Sequence, residues 1–232
     1  YYKKMGLVNE VFDEDKLAAF PHSRLGIGHV RYSTTGSSNV VNAQPVVFYG
    51  RCGRMAVAHN GNIVNCDAIK SRLIRKGHIF QSSIDSEVIA ALINLYADEG
   101  IEKGVMRACA ELVGAYALVV LADDKLVAVR DPMGPKPLCV GTLGGDIVFA
   151  SETCALDALG ATVIRDLSPG EVVTVDEGLN MKSEFLLEAH RRSCIFEYVY
   201  LARGDSRIDG VNVYDARYEC GKMLAERFKI DA

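Results

Sequence analysis

No apolar run in this 232-residue chain approaches the roughly 20 residues that a membrane-spanning helix needs. Nor does a long apolar stretch follow the first residues, so a secretory signal is not expected. Excess positive charge is missing as well. Lys and Arg number 26 against 30 Asp and Glu, a net of −4, which leaves nucleic acid without an electrostatic footing. The seven cysteines, at positions 52, 66, 109, 139, 154, 194 and 220, include no CxxC pair. An odd, scattered set points to a reducing, cytoplasmic setting with mostly buried thiols. Neither a GxGxxG nor a Walker A sequence occurs, so a nucleotide-binding α/β core has no motif support. An obvious nucleophile is also missing. The chain opens on Tyr1 rather than Met, and residues 5–12 read as the middle of a fold.

What is present suits one large domain, or one domain and part of another. Hydrophobic residues make up 49% of the chain, enough for a substantial core. Residues 25–32 and 55–59 read as strands, with glycines and polar residues at their ends. Val88, Ile89, Leu92, Ile93 and Tyr96 recur at helical spacing and predict a helix over 83–96; a second follows over 101–112. Strands return at 116–121, 126–130, 137–140, 146–150 and 171–175, with turns at Asp123-Asp124, Gly144-Gly145 and 167–170. Residues 151–159 read as a short helix. Strands, two central helices and strands again predict sheets packed against helices rather than a βαβ repeat. Composition changes near residue 190, and a helix is expected over 213–228. The segment 191–232 therefore reads as the start of a second domain following a first over 1–190.

Two motifs carry the chemistry. The run GIGHVRYSTTG over 26–36 sets Arg31 among hydroxyls and glycines, and AHNGNI over 58–63 sets Asn60 and Gly61 where an apolar strand ends. A guanidinium matches a carboxylate with two parallel hydrogen bonds. A side-chain amide beside an unhindered backbone N–H can hold a developing oxyanion. Together they suggest amide chemistry on a small amino-acid substrate. Each has a plainer reading: Arg31 could hold a structural carboxylate, and Asn-Gly is the commonest two-residue hairpin turn. Asp85, at the start of the first predicted helix, could serve only the helix dipole. His29 and His59 have no third partner at metal-binding spacing; support of neighbouring loops is expected of them.

HVRYST at 29–34, NAQP at 42–45, AHNGN at 58–62, SIDSE at 83–87, RDPMG at 130–134 and CIFEYVY at 194–200 resemble the glutamine-hydrolysing domain of class II glutamine amidotransferases. The last block resembles the amidophosphoribosyltransferase branch of that family. The resemblance spans nearly the whole chain and implies an α+β fold, the N-terminal-nucleophile hydrolase sandwich, with two antiparallel sheets between helical layers (αββα). It implies that Arg31 takes the α-carboxylate of glutamine, Asp85 its α-ammonium, and Asn60 with Gly61 the oxyanion. It also implies a nucleophilic cysteine with a free α-amine, expected in a segment preceding Tyr1; without it the chain as it stands would be inactive. Residues 191–232 would open a phosphoribosyltransferase domain that uses Mg²⁺ and phosphoribosyl pyrophosphate, in a homo-oligomer. Some family members bind an iron–sulfur cluster through a cysteine at the position of Cys194, although an ordinary thiol is the plainer reading there. Pro135-Lys136 departs from the family's usual Ile-Arg, so no ligand role passes to Lys136. Two alternatives remain: another class II amidotransferase, of the hexosamine-phosphate or asparagine synthase kind, or a non-catalytic glutamine-binding module.

Overall fold

The structure, a computed structural model, describes residues 1–21, 23–31, 39–51, 53–122, 124–186 and 189–228. Two short helices, α1 (Val8–Val11) and α2 (Glu14–Ala18), lead to a 3₁₀ turn at Val40–Asn42 and to strands β1 (Val46–Gly50) and β2 (Gly53–Ile63). Three helices follow: α3 (Cys66–Arg75), α4 (Asp85–Tyr96) and α5 (Ile101–Glu111). The middle of the chain forms β3 (Gly114–Ala122), β4 (Lys125–Arg130), β5 (Cys139–Leu143), β6 (Asp146–Ala150), α6 (Thr153–Leu159), β7 (Thr162–Asp166), β8 (Glu171–Val175) and β9 (Met181–Phe185). A π-helical turn at Glu197–Leu201, the short hairpin β10 (Arg207–Ile208) and β11 (Val211–Asn212), and helix α7 (Val213–Arg227) complete the described fold.

Among the described residues, one sheet runs β1-β2-β3-β4-β8-β9 and a second runs β6-β5-β7. Every pairing in both is antiparallel. The two-residue period of each strand assigns its faces. Tyr116, Leu118, Val120, Val127, Val129 and Val172 pack with the apolar faces of α3, α4 and α5. Their neighbours Ala117, Ala128 and Val173 turn the other way, onto Val140, Ile147 and Phe149 of the second sheet. The far side of that sheet, through Cys139, Val148 and Val163, packs on Leu156 of α6. Helices, sheet, sheet and helix thus stack as the expected αββα sandwich. Helix α4 is the centre of the larger core: Ile89, Leu92 and Ile93 are fully buried. Each such side chain contributes about 1.5–3 kcal/mol relative to remaining in water.

Several sequence expectations need correction. Residues 25–31 join neither sheet. Their composition favours an extended chain, but a strand also requires a partner, and none of the described strands supplies one. Residue 32 lies outside the described residues, as do the rest of the first motif through residue 36, Cys52, and the Asp123 side of its turn. The strand expected at 137–140 begins at Cys139 and runs to Leu143. Most consequential for the site, β2 does not end at His59: it continues through Asn60 and Gly61 to Ile63, with Asn60 opposite Ala117 and Gly61 opposite Tyr116. Asn60-Gly61 is therefore not a hairpin turn.

Candidate functional site

A cavity of about 1860 Å³ is lined by Arg31, Asn60, Gly61 and Asp85, with Gln44 and His59 beside them. The four residues singled out from the sequence, drawn from three separate motifs, thus share one cavity. Asp85 is the first residue of α4, where the unpaired N–H groups of the helix favour a carboxylate. Glu87, buried two residues later in the same first turn, steadies the approach to the helix by accepting from the N–H groups of Gln81 and Ser82 and from the Ser82 hydroxyl. Asn42 joins the NAQP loop to the same place: its amide donates to Ser83 Oγ at 3.0 Å and accepts from Ser83 N–H at 3.2 Å.

The outer edge of β2 explains why an N–H faces this cavity. Tyr116 donates its N–H to Asp131 Oδ2 and accepts from Asp131 N–H, so its polar backbone groups point away from β2. Gly61, opposite Tyr116, therefore belongs to a non-hydrogen-bonded pair and turns its own N–H outward. Val57 has the same orientation and meets Val46 of β1. The His59 N–H donates to Gln44 Oε1 at 2.7 Å, and the Ile63 N–H donates to Asp85 Oδ2 at 3.1 Å. Gly61 lies between these last two, beyond the end of β1. Only glycine fits there. Its φ is 147°, and a Cβ would stand 2.0 Å from the carbonyl oxygen of Ala115.

His59 lies beneath this edge, 3% exposed. Its Nδ1 is 3.2 Å from Ser86 Oγ and 3.5 Å from Asp85 Oδ1. Burial raises the pKa of the Asp85 carboxyl. Bonding and charge from His59, with the N–H groups of Ile63 and Ser86, outweigh burial and hold it below the usual carboxylate value. Asp85 is therefore an anion in the cavity wall at neutral pH. His29 is lowered to about 4, chiefly by burial, then by His59 and Arg31; it is neutral where Arg31 is charged. A guanidinium, a carboxylate, a side-chain amide and an outward N–H among the lining of one cavity are the groups needed to hold an amino acid by its charged ends and to face a side-chain carbonyl with donors.

Gln44 is the site residue to which the sequence reading gave no role. The signal was its amide, the side chain that offers donor and acceptor together in the manner of a peptide group. Cys194 lies elsewhere, half-buried on the stretch before the π-helical turn and outside the cavity wall. No three His, Cys, Asp or Glu side chains converge among the described residues as metal ligands, around Cys194 or around His29 and His59. No described helix is long and apolar enough to cross a membrane.

A family model described as a glutamine amidotransferase domain matches residues 29–158. The amidophosphoribosyltransferase of Methanocaldococcus jannaschii is 43% identical over 250 residues, which cover 100% of this chain and 53% of that protein. The Bacillus subtilis amidophosphoribosyltransferase is 42% identical, across 100% of this chain and 48% of its own length. The chain thus spans about half the length of the curated relatives it matches. Among solved structures, glutamine phosphoribosylpyrophosphate amidotransferase from B. subtilis, complexed with ADP and GMP, superimposes with a TM-score of 0.88 at 39% identity. That match covers 98% of this chain and 49% of the other. With more than half its length inside the family model and its predicted site residues gathered in one cavity, the chain belongs to the glutamine amidotransferase domain family.

Proposed function

We propose that this cavity binds glutamine and hydrolyses its side-chain amide. Arg31 pairs with the α-carboxylate and Asp85 with the α-ammonium. The amide NH₂ of Asn60 and the backbone N–H of Gly61 hold the oxygen of the substrate amide as it becomes negative. The observation that carries this reading is the edge of β2, where Gly61 turns its N–H outward next to Asn60, in a cavity that Arg31 and Asp85 also line. The nucleophile is a cysteine thiolate with its own α-amine as base, as the family resemblance implies. Attack on the amide carbon gives a tetrahedral oxyanion. Ammonia departs with a proton returned by the amine, and water opens the remaining thioester to release glutamate.

The relatives' shared name supports a further step. In the whole enzyme, the ammonia displaces pyrophosphate from phosphoribosyl pyrophosphate and gives 5-phosphoribosylamine. Residues 191–232 begin the phosphoribosyltransferase domain that performs this step with Mg²⁺. The likeness of the chain to amidophosphoribosyltransferases over its full length favours this acceptor over a hexosamine phosphate or an aspartyl intermediate.

Two substitutions in the full-length enzyme test the glutamine site. Arg31→Lys keeps the charge but loses the planar fork, so it should raise KM for glutamine and leave ammonia-supported synthesis intact. Asn60→Asp removes one oxyanion donor and should lower kcat with glutamine by about 10²–10³. Equal losses with glutamine and with ammonia as nitrogen source would overturn the assignment.

A further inference from the structure

Three unlike partners close the outer edge of β2. Val57 has a strand, β1. Ile63 has a carboxylate, Asp85. Between them His59 has Gln44, and this contact has two halves: Oε1 accepts from the His59 N–H at 2.7 Å, and Nε2 donates to the His59 carbonyl at 3.2 Å. A single side chain thus does what the next residue of a neighbouring strand would do. It stops one step short of Gly61, whose N–H keeps its place at the cavity.

We propose that Gln44 is a positioning residue for the oxyanion donors, an inference that rests on the glutamine hydrolysis proposed above. Its amide fixes the backbone of β2 immediately before Asn60 and ends the ladder so that Gly61 stays open. The loop that carries Gln44 is itself fixed by the two Asn42–Ser83 bonds at the head of α4. The helix that presents Asp85 and the loop that holds the β2 edge therefore form one unit, and the two ends of the substrate are held in register. A developing oxyanion rewards donors that are already placed. Displacing such a group by about 1 Å can cost 10²-fold in rate. Glutamate at position 44 preserves the shape and still accepts from the His59 N–H. It sets an oxygen against the His59 carbonyl, and it adds negative charge where negative charge develops.

The test uses the full-length enzyme with Gln44→Glu and Gln44→Met, and Asn60→Asp as reference. Both Gln44 variants should lose about 10- to 100-fold in kcat with glutamine. KM should move by less than about threefold, because the interaction strengthens only in the transition state. Ammonia-supported synthesis, which needs the folded protein but not this edge, should be unchanged. A raised KM with normal kcat would overturn the proposal by making Gln44 a direct substrate contact. Parallel loss of ammonia-supported synthesis would overturn it by making Gln44 merely structural. Normal Gln44 variants beside a disabled Asn60→Asp would sink this inference alone. An Asn60→Asp enzyme with full glutamine turnover would sink the glutamine-hydrolysis reading itself.

Discussion

His29 and Arg31 stand two residues apart in the chain and both line the cavity, and His29 is neutral there at neutral pH. Burial is the main reason that His29 is lowered to about 4, with His59 and Arg31 adding repulsion. In the unfolded chain the imidazole returns to its ordinary 6.5, so between these values the unfolded state binds the extra proton. Stability therefore rises with pH across this window and is lost as pH falls through it towards about 4. The Asp85 carboxyl contributes with the same sign but lower on the scale. Its folded value lies beneath the ordinary 3.8, so its share is lost only in stronger acid. His29→Asn should accordingly flatten the fall in melting temperature between pH 6.5 and about 4 while leaving the steeper acid limb in place. Thermal melts of the two proteins across that range decide the matter, and parallel curves would mean that His29 is not buried as a neutral group.

At the scale of elements, β2 and β3 approach each other more closely at the site than side chains allow. A Cβ on Gly61 would meet the Ala115 carbonyl oxygen at 2.0 Å, and one on Gly114 would meet that of Asn62 at 2.2 Å. Gly61→Ala should cost at least about 2 kcal/mol, in the range for a side chain forced into an occupied, strained position. Gly204→Ala, whose Cβ would come no nearer than 3.7 Å to any atom, should leave the denaturation midpoint unmoved. Equal midpoints for both variants would refute the close approach. The same pair of strands shows what the sequence could and could not disclose. Strands β6 and β8 were legible to the residue, because their apolar stretches end at turn-forming glycines or at polar residues. Strands β1 and β9 lie at the sheet edges; β9 is mostly exposed and reads as polar, so period alone cannot find it. Asn60-Gly61 carries a turn's composition inside a strand, because the glycine answers to a neighbouring carbonyl rather than to a reversal of the chain. The motifs singled out in the sequence do line one cavity. That Gln44 stands in for a strand was not legible, because a side chain's backbone partner is fixed by the sheet's register, which only the folded chain defines.

Over the whole molecule, the segment beyond residue 190 is tied to the sandwich by charge in a dry place. Arg130, at the end of β4, is fully buried, and its guanidinium donates to both carboxylate oxygens of Asp209 at 2.7 and 2.9 Å. It also donates to the carbonyls of Gly134, Lys136 and Leu167. Arg191 adds a second pair to Asp209 at 2.8 Å. Burial raises the Asp209 pKa, but Arg130 and Arg191 outweigh it and hold the carboxyl below its ordinary value. Lys136 joins Glu197 at 2.5 Å, and Glu152 accepts from Ser206 Oγ and Arg203 N–H. The change of composition near residue 190 is thus crossed by paired buried groups rather than by a slack linker. A buried pair need not add net stability, because both charges are removed from water, but breaking one from a single side leaves the other uncompensated. Asp209→Asn keeps the shape and removes the charge that faces Arg130, and should cost about 3–5 kcal/mol in chemical denaturation of the full-length protein. Asp205→Asn, whose partner Arg203 is exposed, should leave the midpoint where it was, since solvent screens such pairs. An Asp209→Asn protein as stable as the parent would mean that Arg130 is satisfied by its three carbonyls alone, and that the segment after residue 190 is held by something other than this pair.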